Sequence, residues 1–202
     1  MLIKDYKNLI YEINLDNRDI NVAISNIYTA NELGVKTVLF FSEKDDYEDL
    51  LDIVSEIKSD LTSDISNICF GLSFDEITED TMFFSDLKIA GFDFILLPEN
   101  YEPSIFIPFI QEAKSLDLSV FIKLGVFLDA QQVKFAQKFL NLNIPDELLK
   151  DMKDSENQLN VSLKFAKEYL NFLSILEIDG LFLILPDEKN LLIKKYLFNN
   201  SN

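Results

Sequence analysis

The chain has 202 residues, 48% of them hydrophobic and 26% charged, the balance of a globular chain with a substantial core rather than a disordered one. Its 18 basic and 35 acidic residues leave a net charge of −17, which argues against a nucleic-acid backbone or an anionic membrane surface as partner. Histidine is absent, which removes imidazole acid–base chemistry, Ser-His-Asp and Cys-His triads and imidazole metal ligands. A lone cysteine, Cys69, can form neither an internal disulfide nor a thiolate metal cluster. The sequence reads as cytoplasmic, with no signal-peptide core near its start and no apolar run approaching the roughly 20 residues of a membrane span.

Short apolar runs alternate with longer segments of helical period. Strands are expected at Ile10–Leu15, Thr37–Phe41, Ile68–Phe74, Phe92–Leu97, Leu118–Val126 and Leu181–Leu185. Several are continuously apolar, as parallel strands covered on both faces should be. Helices are expected near 19–33, 46–60, 78–90, 103–116, 129–140, 158–177 and 188–198, with one more opened by Asn143-Ile144-Pro145. Strand followed by helix, repeated at about 27 residues, predicts parallel βαβ units. Gly34, Gly91 and Gly180 each fall between a helix and the next strand, where a left-handed residue ends the helix, so each is expected at positive φ. No linker or composition shift divides the chain, so residues 1–202 read as a single domain. The pattern fits either an open doubly wound sheet or part of a (β/α)8 barrel, and no glycine-rich phosphate loop follows any strand.

Several segments resemble the catalytic domain of methylenetetrahydrofolate reductases. Val133–Met152 is similar to that family's helix followed by an Ile-Pro dipeptide and a second helix. Ala90-Gly91-Phe92-Asp93-Phe94-Ile95 resembles its Ala-Gly-Ala-Asp-Phe-Ile, and Leu33-Gly34-Val35-Lys36-Thr37-Val38-Leu39 its Leu-Gly-Ile-Arg-Asn-Val-Leu. Val161–Leu176 and Ile178–Phe182 resemble the approach to the last strand. The resemblance implies an incomplete (β/α)8 TIM-type barrel of about six strands, lacking the first two βα units. It also implies lost chemistry: no catalytic glutamate precedes Tyr11, and Lys44 stands where an acid should face the flavin. The expected function is thus a degenerate, non-reducing binding or assembly subunit with no cofactor. The alternative is a flavin-dependent oxidoreductase of one-carbon metabolism that binds FAD and acts on 5,10-methylenetetrahydrofolate, completed by another chain. Two open edges, Ile10–Leu15 and Leu181–Leu185, are expected to call for a homodimer or a partner subunit, unless the first residues fold back over one of them.

In a (β/α) domain the functional face is the carboxyl end of the strands. Candidate ligand-binding residues there are Asn14, Asp16, Glu43, Lys44, Phe74, Glu76, Glu99, Asn100, Lys123 and Asp187. Asp75-Glu76 could do acid–base work, whereas Asp129 and Asp187 also suit helix N-caps. No residue is assigned a catalytic role and no metal site is expected. Lys123, a charge inside an apolar strand, is either a desolvated nucleophile or the strand's one solvated or salt-paired position. Cys69, within an apolar run, is expected to be a small buried core residue.

Overall fold

A computed structural model describes residues 9–42, 47–61, 65, 67–74, 83–185 and 190–198. In chain order the elements are β1 (Ile10–Asn14), α1 (Ile20–Glu32), β2 (Thr37–Phe41), α2 (Tyr47–Asp60), β3 (Cys69–Ser73), α3 (Phe83–Ile89), β4 (Phe94–Leu97), a 3-10 turn (Pro103–Phe106), α4 (Ile107–Ser115), β5 (Ser119–Gly125), α5 (Ala130–Phe139), α6 (Asp146–Asp154), α7 (Gln158–Ile175), β6 (Gly180–Ile184) and α8 (Asn190–Phe198). The sheet runs β1-β2-β3-β4-β5-β6, with parallel pairing between successive strands. A doubly wound sheet would reverse its order at a switch point. Here spatial order equals chain order, so the fold is the α/β arrangement of an incomplete (β/α)8 TIM-type barrel. β1 and β6 stand at the ends of the order, and of the first nine residues, expected as one way to cover an edge, 1–8 lie outside the described residues. No helix among the described residues is long and apolar enough to cross a membrane.

Contacts group the chain into two compact units, Met1–Pro98 with Gln111–Val120, and Glu99–Ile110 with Phe121–Asn202. In the first, β2 and β4 are buried nearly throughout, which explains why TVLFF and FILL carry no alternation. Phe40 is fully buried, stacked on Phe70 at 5.8 Å and edge-on to Phe92 at 6.2 Å. Gly71 sits opposite Phe94 in the register, and a Cβ there would overlap the Phe94 ring. The glycine lets the ring of one strand lie over the backbone of the next.

Asp19 caps α1, its carboxylate accepting the Val22 N–H at 3.1 Å. Beyond α1, Gly34 takes φ +81°, and Gly91 takes φ +80° after α3, as expected. A Cβ at Gly34 would meet nothing within 4 Å, so backbone strain is isolated there. Gly34→Val is expected to destabilise by about 1–2 kcal/mol in urea titration. Gly34→Asn should cost much less, since asparagine tolerates the left-handed region.

Gly180 departs from the expectation. Helix α7 ends at Ile175 with Leu176 as its C-cap, and Glu177, at φ +57°, is the left-handed residue. Gly180 instead opens β6 opposite Phe121, whose ring atoms lie 2.7 and 2.8 Å from where a Cβ would stand. Cys69 is also corrected. It is exposed as the first residue of β3, where the side chain points away from the core that takes Phe70. Burial and the neighbouring Asp93 charge both push its thiol pKa up, which leaves it a weak nucleophile.

In the second unit β5 and β6 pair from Phe121↔Gly180 to Gly125↔Ile184. Val126, Leu163, Ala166, Ile193 and Leu197 form a core cluster against which Leu183 and Leu185 pack. The expected extra helix is present as α6. Ile144 is buried just before it, and Leu148 and Met152 anchor its inner face.

Candidate functional site

Strand β4 gives way to Pro98, and the next residues, Glu99, Asn100 and Tyr101, begin the second unit. On β5 the side-chain period of two places Lys123 and Gly125 on one face. Gly125 has no side chain, and the Glu99 carboxyl occupies the space a Cβ would need. The Gly125 N–H donates to Glu99 Oε1 at 2.9 Å, and the Tyr101 hydroxyl donates to the same oxygen. That hydroxyl also lies 3.2 Å from the Gly125 carbonyl oxygen. Glu99 Oε2 has no hydrogen-bond partner among the described residues.

Behind this carboxyl stands an aromatic wall. The Tyr101 ring lies 5.5 Å from Tyr169, 5.6 Å from Phe165 and 6.1 Å from Phe127. The Tyr169 hydroxyl donates to the Asn100 carbonyl, tying α7 to the loop that carries Glu99. Burial pushes the Glu99 pKa above the ordinary carboxyl value, opposed by the Tyr101 and Gly125 hydrogen bonds and by the Lys123 charge. Burial and the nearby carboxyl drive the Tyr101 hydroxyl well above its usual value, and Tyr169 moves the same way for the same causes. Both phenols therefore remain donors at neutral pH.

Glu99 opens onto a cavity of about 650 Å3. Gly125, Val126 and Phe127 line it at the end of β5, and Asp129, Gln131, Gln132 and Phe135 line it from the start of α5. Ile184 and Leu185 line it at the carboxyl end of β6. Asp129 is the N-cap of α5, accepting the N–H groups of Gln131 and Gln132 at 2.9 Å each. The capping reading of Asp129 holds, and the same carboxylate also faces the cavity.

Of the candidate residues, Glu99, Asn100 and Lys123 come together in this unit. Asn100 is occupied locally, its side-chain oxygen accepting the Glu102 N–H at 2.8 Å. Lys123 is half-buried and acts on Glu99 through its charge. Asn14 and Asp16 meet elsewhere, in the first unit. The Asn14 side-chain oxygen accepts the Asp16 N–H at 2.7 Å, and Ser42 donates to Asp16 at 2.7 Å. Phe74 is a core residue against Phe83 and Phe84, at 5.4 and 6.2 Å. Glu43, Lys44, Asp75, Glu76 and Asp187 lie outside the described residues.

A second cavity, about 310 Å3, lies in the first unit beside Lys58, Phe70, Gly91 and Asp93. It sits at the amino ends of β3 and β4, the face that serves stability in barrels. Burial lowers the Lys58 pKa, with Asp93 opposing. The ammonium is already engaged, donating to the Gly91 carbonyl and lying 4.7 Å over the Phe70 ring.

Neither a family model nor a curated protein matches this sequence. Among solved structures it is similar to a muconate cycloisomerase from Azorhizobium caulinodans, at 13% identity and TM-score 0.50 over 88% of this chain and 46% of that one. It is also similar to the 3-hexulose-6-phosphate synthase from Salmonella typhimurium, at 11% identity and TM-score 0.47 over 96% and 100% of the two chains. The chain spans less than half the length of the cycloisomerase, and likeness at such identity is one of fold alone. Nothing in these comparisons points to methylenetetrahydrofolate reductases. The resemblance is corrected accordingly, and with it fall the degenerate-reductase role and the flavin and folate chemistry. Two of the segments that carried it, around Gly34 and Gly91, are helix–turn–strand joints of a kind that parallel βα folds in general require, and Val133–Met152 is the connection from α5 to α6.

The raised Glu99 pKa has a measurable sign. The folded state holds that proton more tightly than the unfolded chain does. Its stabilising contribution is full below the ordinary carboxyl value and is lost as pH rises through the raised one. Glu99→Gln is expected to flatten the fall of the urea midpoint across that window, and an unchanged pH profile would contradict the shift.

Proposed function

We propose that the chain is an acid–base catalyst of the (β/α) type, acting on a small molecule held in the 650 Å3 cavity, with Glu99 as the proton-exchanging group. One observation carries this reading: a largely buried carboxyl, anchored through Oε1 by Gly125 and Tyr101, lines a cavity while its Oε2 has no other hydrogen-bond partner among the described residues. Burial favours the protonated acid, which can donate to a bound molecule. Once the proton leaves, the two hydrogen bonds and the Lys123 charge stabilise the carboxylate, so the group can cycle. The rigid aromatic wall holds it in place. The position, at the carboxyl ends of parallel strands, is where such folds carry their chemistry.

The test is a panel of small metabolites incubated with the protein in deuterated water and followed by proton NMR. The wild type is expected to convert, or to label at carbon, at least one member. Glu99→Gln should lower that rate by about 10²–10⁴-fold while the cavity still binds. If Glu99, followed by carbon NMR, titrates with the exposed glutamates, the reading fails.

A further inference from the structure

Charge at the mouth of this cavity points to the class of molecule it takes. We propose that its ligand is a small organic ammonium ion, an inference that rests on the cavity being the functional site. Two carboxyls, Glu99 and Asp129, line the space, and no lysine or arginine among the described residues does. The first turn of α5 offers nothing to an anion, because Asp129 already occupies the N–H groups of Gln131 and Gln132. The Ala130 N–H is likewise taken, by the Gln158 side-chain oxygen at 2.8 Å, so a phosphate or carboxylate ligand would meet two acids and no free backbone donor from these three residues.

An ammonium ion meets the opposite. Phe127 and Phe135 line the cavity, and the negative quadrupole of an aromatic ring attracts cations to its face. Gln131 adds a neutral side-chain amide, whereas the Gln132 side-chain oxygen is taken by the Leu128 N–H at 2.8 Å. Lys123 acts on Glu99 from β5 without lining the cavity, which leaves Asp129 as the carboxylate with no such cation assigned to it, and Lys138 lies 5.2 Å over the ring of Phe139. The net charge of −17 raises the local concentration of cations around the whole chain. Proton linkage follows from geometry. A cation entering beside Glu99 favours its ionised form, so binding near the raised Glu99 value should release a proton from the carboxyl to solvent. Of the other titratable groups that act on Glu99, Lys123 does so through its positive charge, and Tyr101 and Tyr169 stay protonated there.

Three probes of one size separate charge from shape: benzylamine, benzyl alcohol and benzoate, each titrated calorimetrically into the full chain. Benzylamine, cationic at neutral pH, is expected to bind about tenfold tighter than the alcohol, and benzoate more weakly than either. Asp129→Asn, which keeps a good helix cap, should remove most of the ammonium preference and leave the alcohol unchanged. Gln131→Lys, on the exposed first turn, should turn the preference toward benzoate. Equal affinity for amine and alcohol, stronger binding of benzoate, or no binding of any probe would overturn the proposal. The Glu99 titration, read without ligand, tests the acid–base reading separately.

Discussion

Gly125→Ala is expected to unseat Glu99. A methyl group at residue 125 would overlap Oε1 and stand 3.0 Å from the carboxyl carbon and 3.1 Å from Oε2. Gly125 is not in the left-handed region, so alanine is compatible with the backbone and the effect is one of contact alone. The carboxyl must leave the pocket formed by the Gly125 N–H and the Tyr101 hydroxyl, which strands the Gly125 N–H while the hydroxyl keeps the Gly125 carbonyl as acceptor at 3.2 Å. An unpaired buried donor costs about 1–3 kcal/mol, and a loss of that size is expected in urea titration. Once solvated, Glu99 should titrate near its ordinary value, and proton exchange with a cavity ligand should fall as far as in Glu99→Gln. Adding Glu99→Ala makes room for the methyl, so the double variant should be more stable than the sum of its parts. A single variant with unchanged stability and Glu99 titration would show that the contact does not hold the carboxyl.

Phe40→Ala should be among the most damaging core changes. Its ring has no exposed surface and meets both Phe70 and Phe92. Truncation leaves a ring-sized void and removes two aromatic contacts, for a loss of about 3–5 kcal/mol against a typical total of about 5–15 kcal/mol. Phe40→Leu refills part of the void and should lose roughly half as much. A loss under about 1 kcal/mol for the alanine variant would mean that neighbouring side chains collapse into the space.

All six strands were legible because parallel strands covered on both faces leave unbroken apolar runs, and Phe94–Leu97 is the plainest case. Gly34 and Gly91 declared themselves by following a helix. Gly180 misled because a missing Cβ serves two ends, a left-handed φ and a close approach, and sequence distance from α7 does not say which. Cys69 misled because an apolar run says nothing of which side a strand's first residue faces. Glu99, Asn100 and Lys123 were candidates by their place at strand ends, and the fold brings them into one unit. Tyr101 was missed although it lies two residues after Glu99, since a tyrosine there reads equally as a core aromatic. Tyr169, bonded to Asn100 from sixty-nine residues away, leaves no local trace at all.

From β1 to β4 every strand pairs with the one synthesised just before it. Each pairing closes a loop of about one βα unit, a modest entropic cost that does not grow as the chain lengthens. A closed barrel must wait for its final strand to reach its first, whereas this sheet can be laid down strand by strand behind the ribosome. Nascent β1–β3 can thus stack Phe40 on Phe70 before the residues around Glu99 exist, so a lesion in the early strands is met by the chain long before there is any site for it to harm.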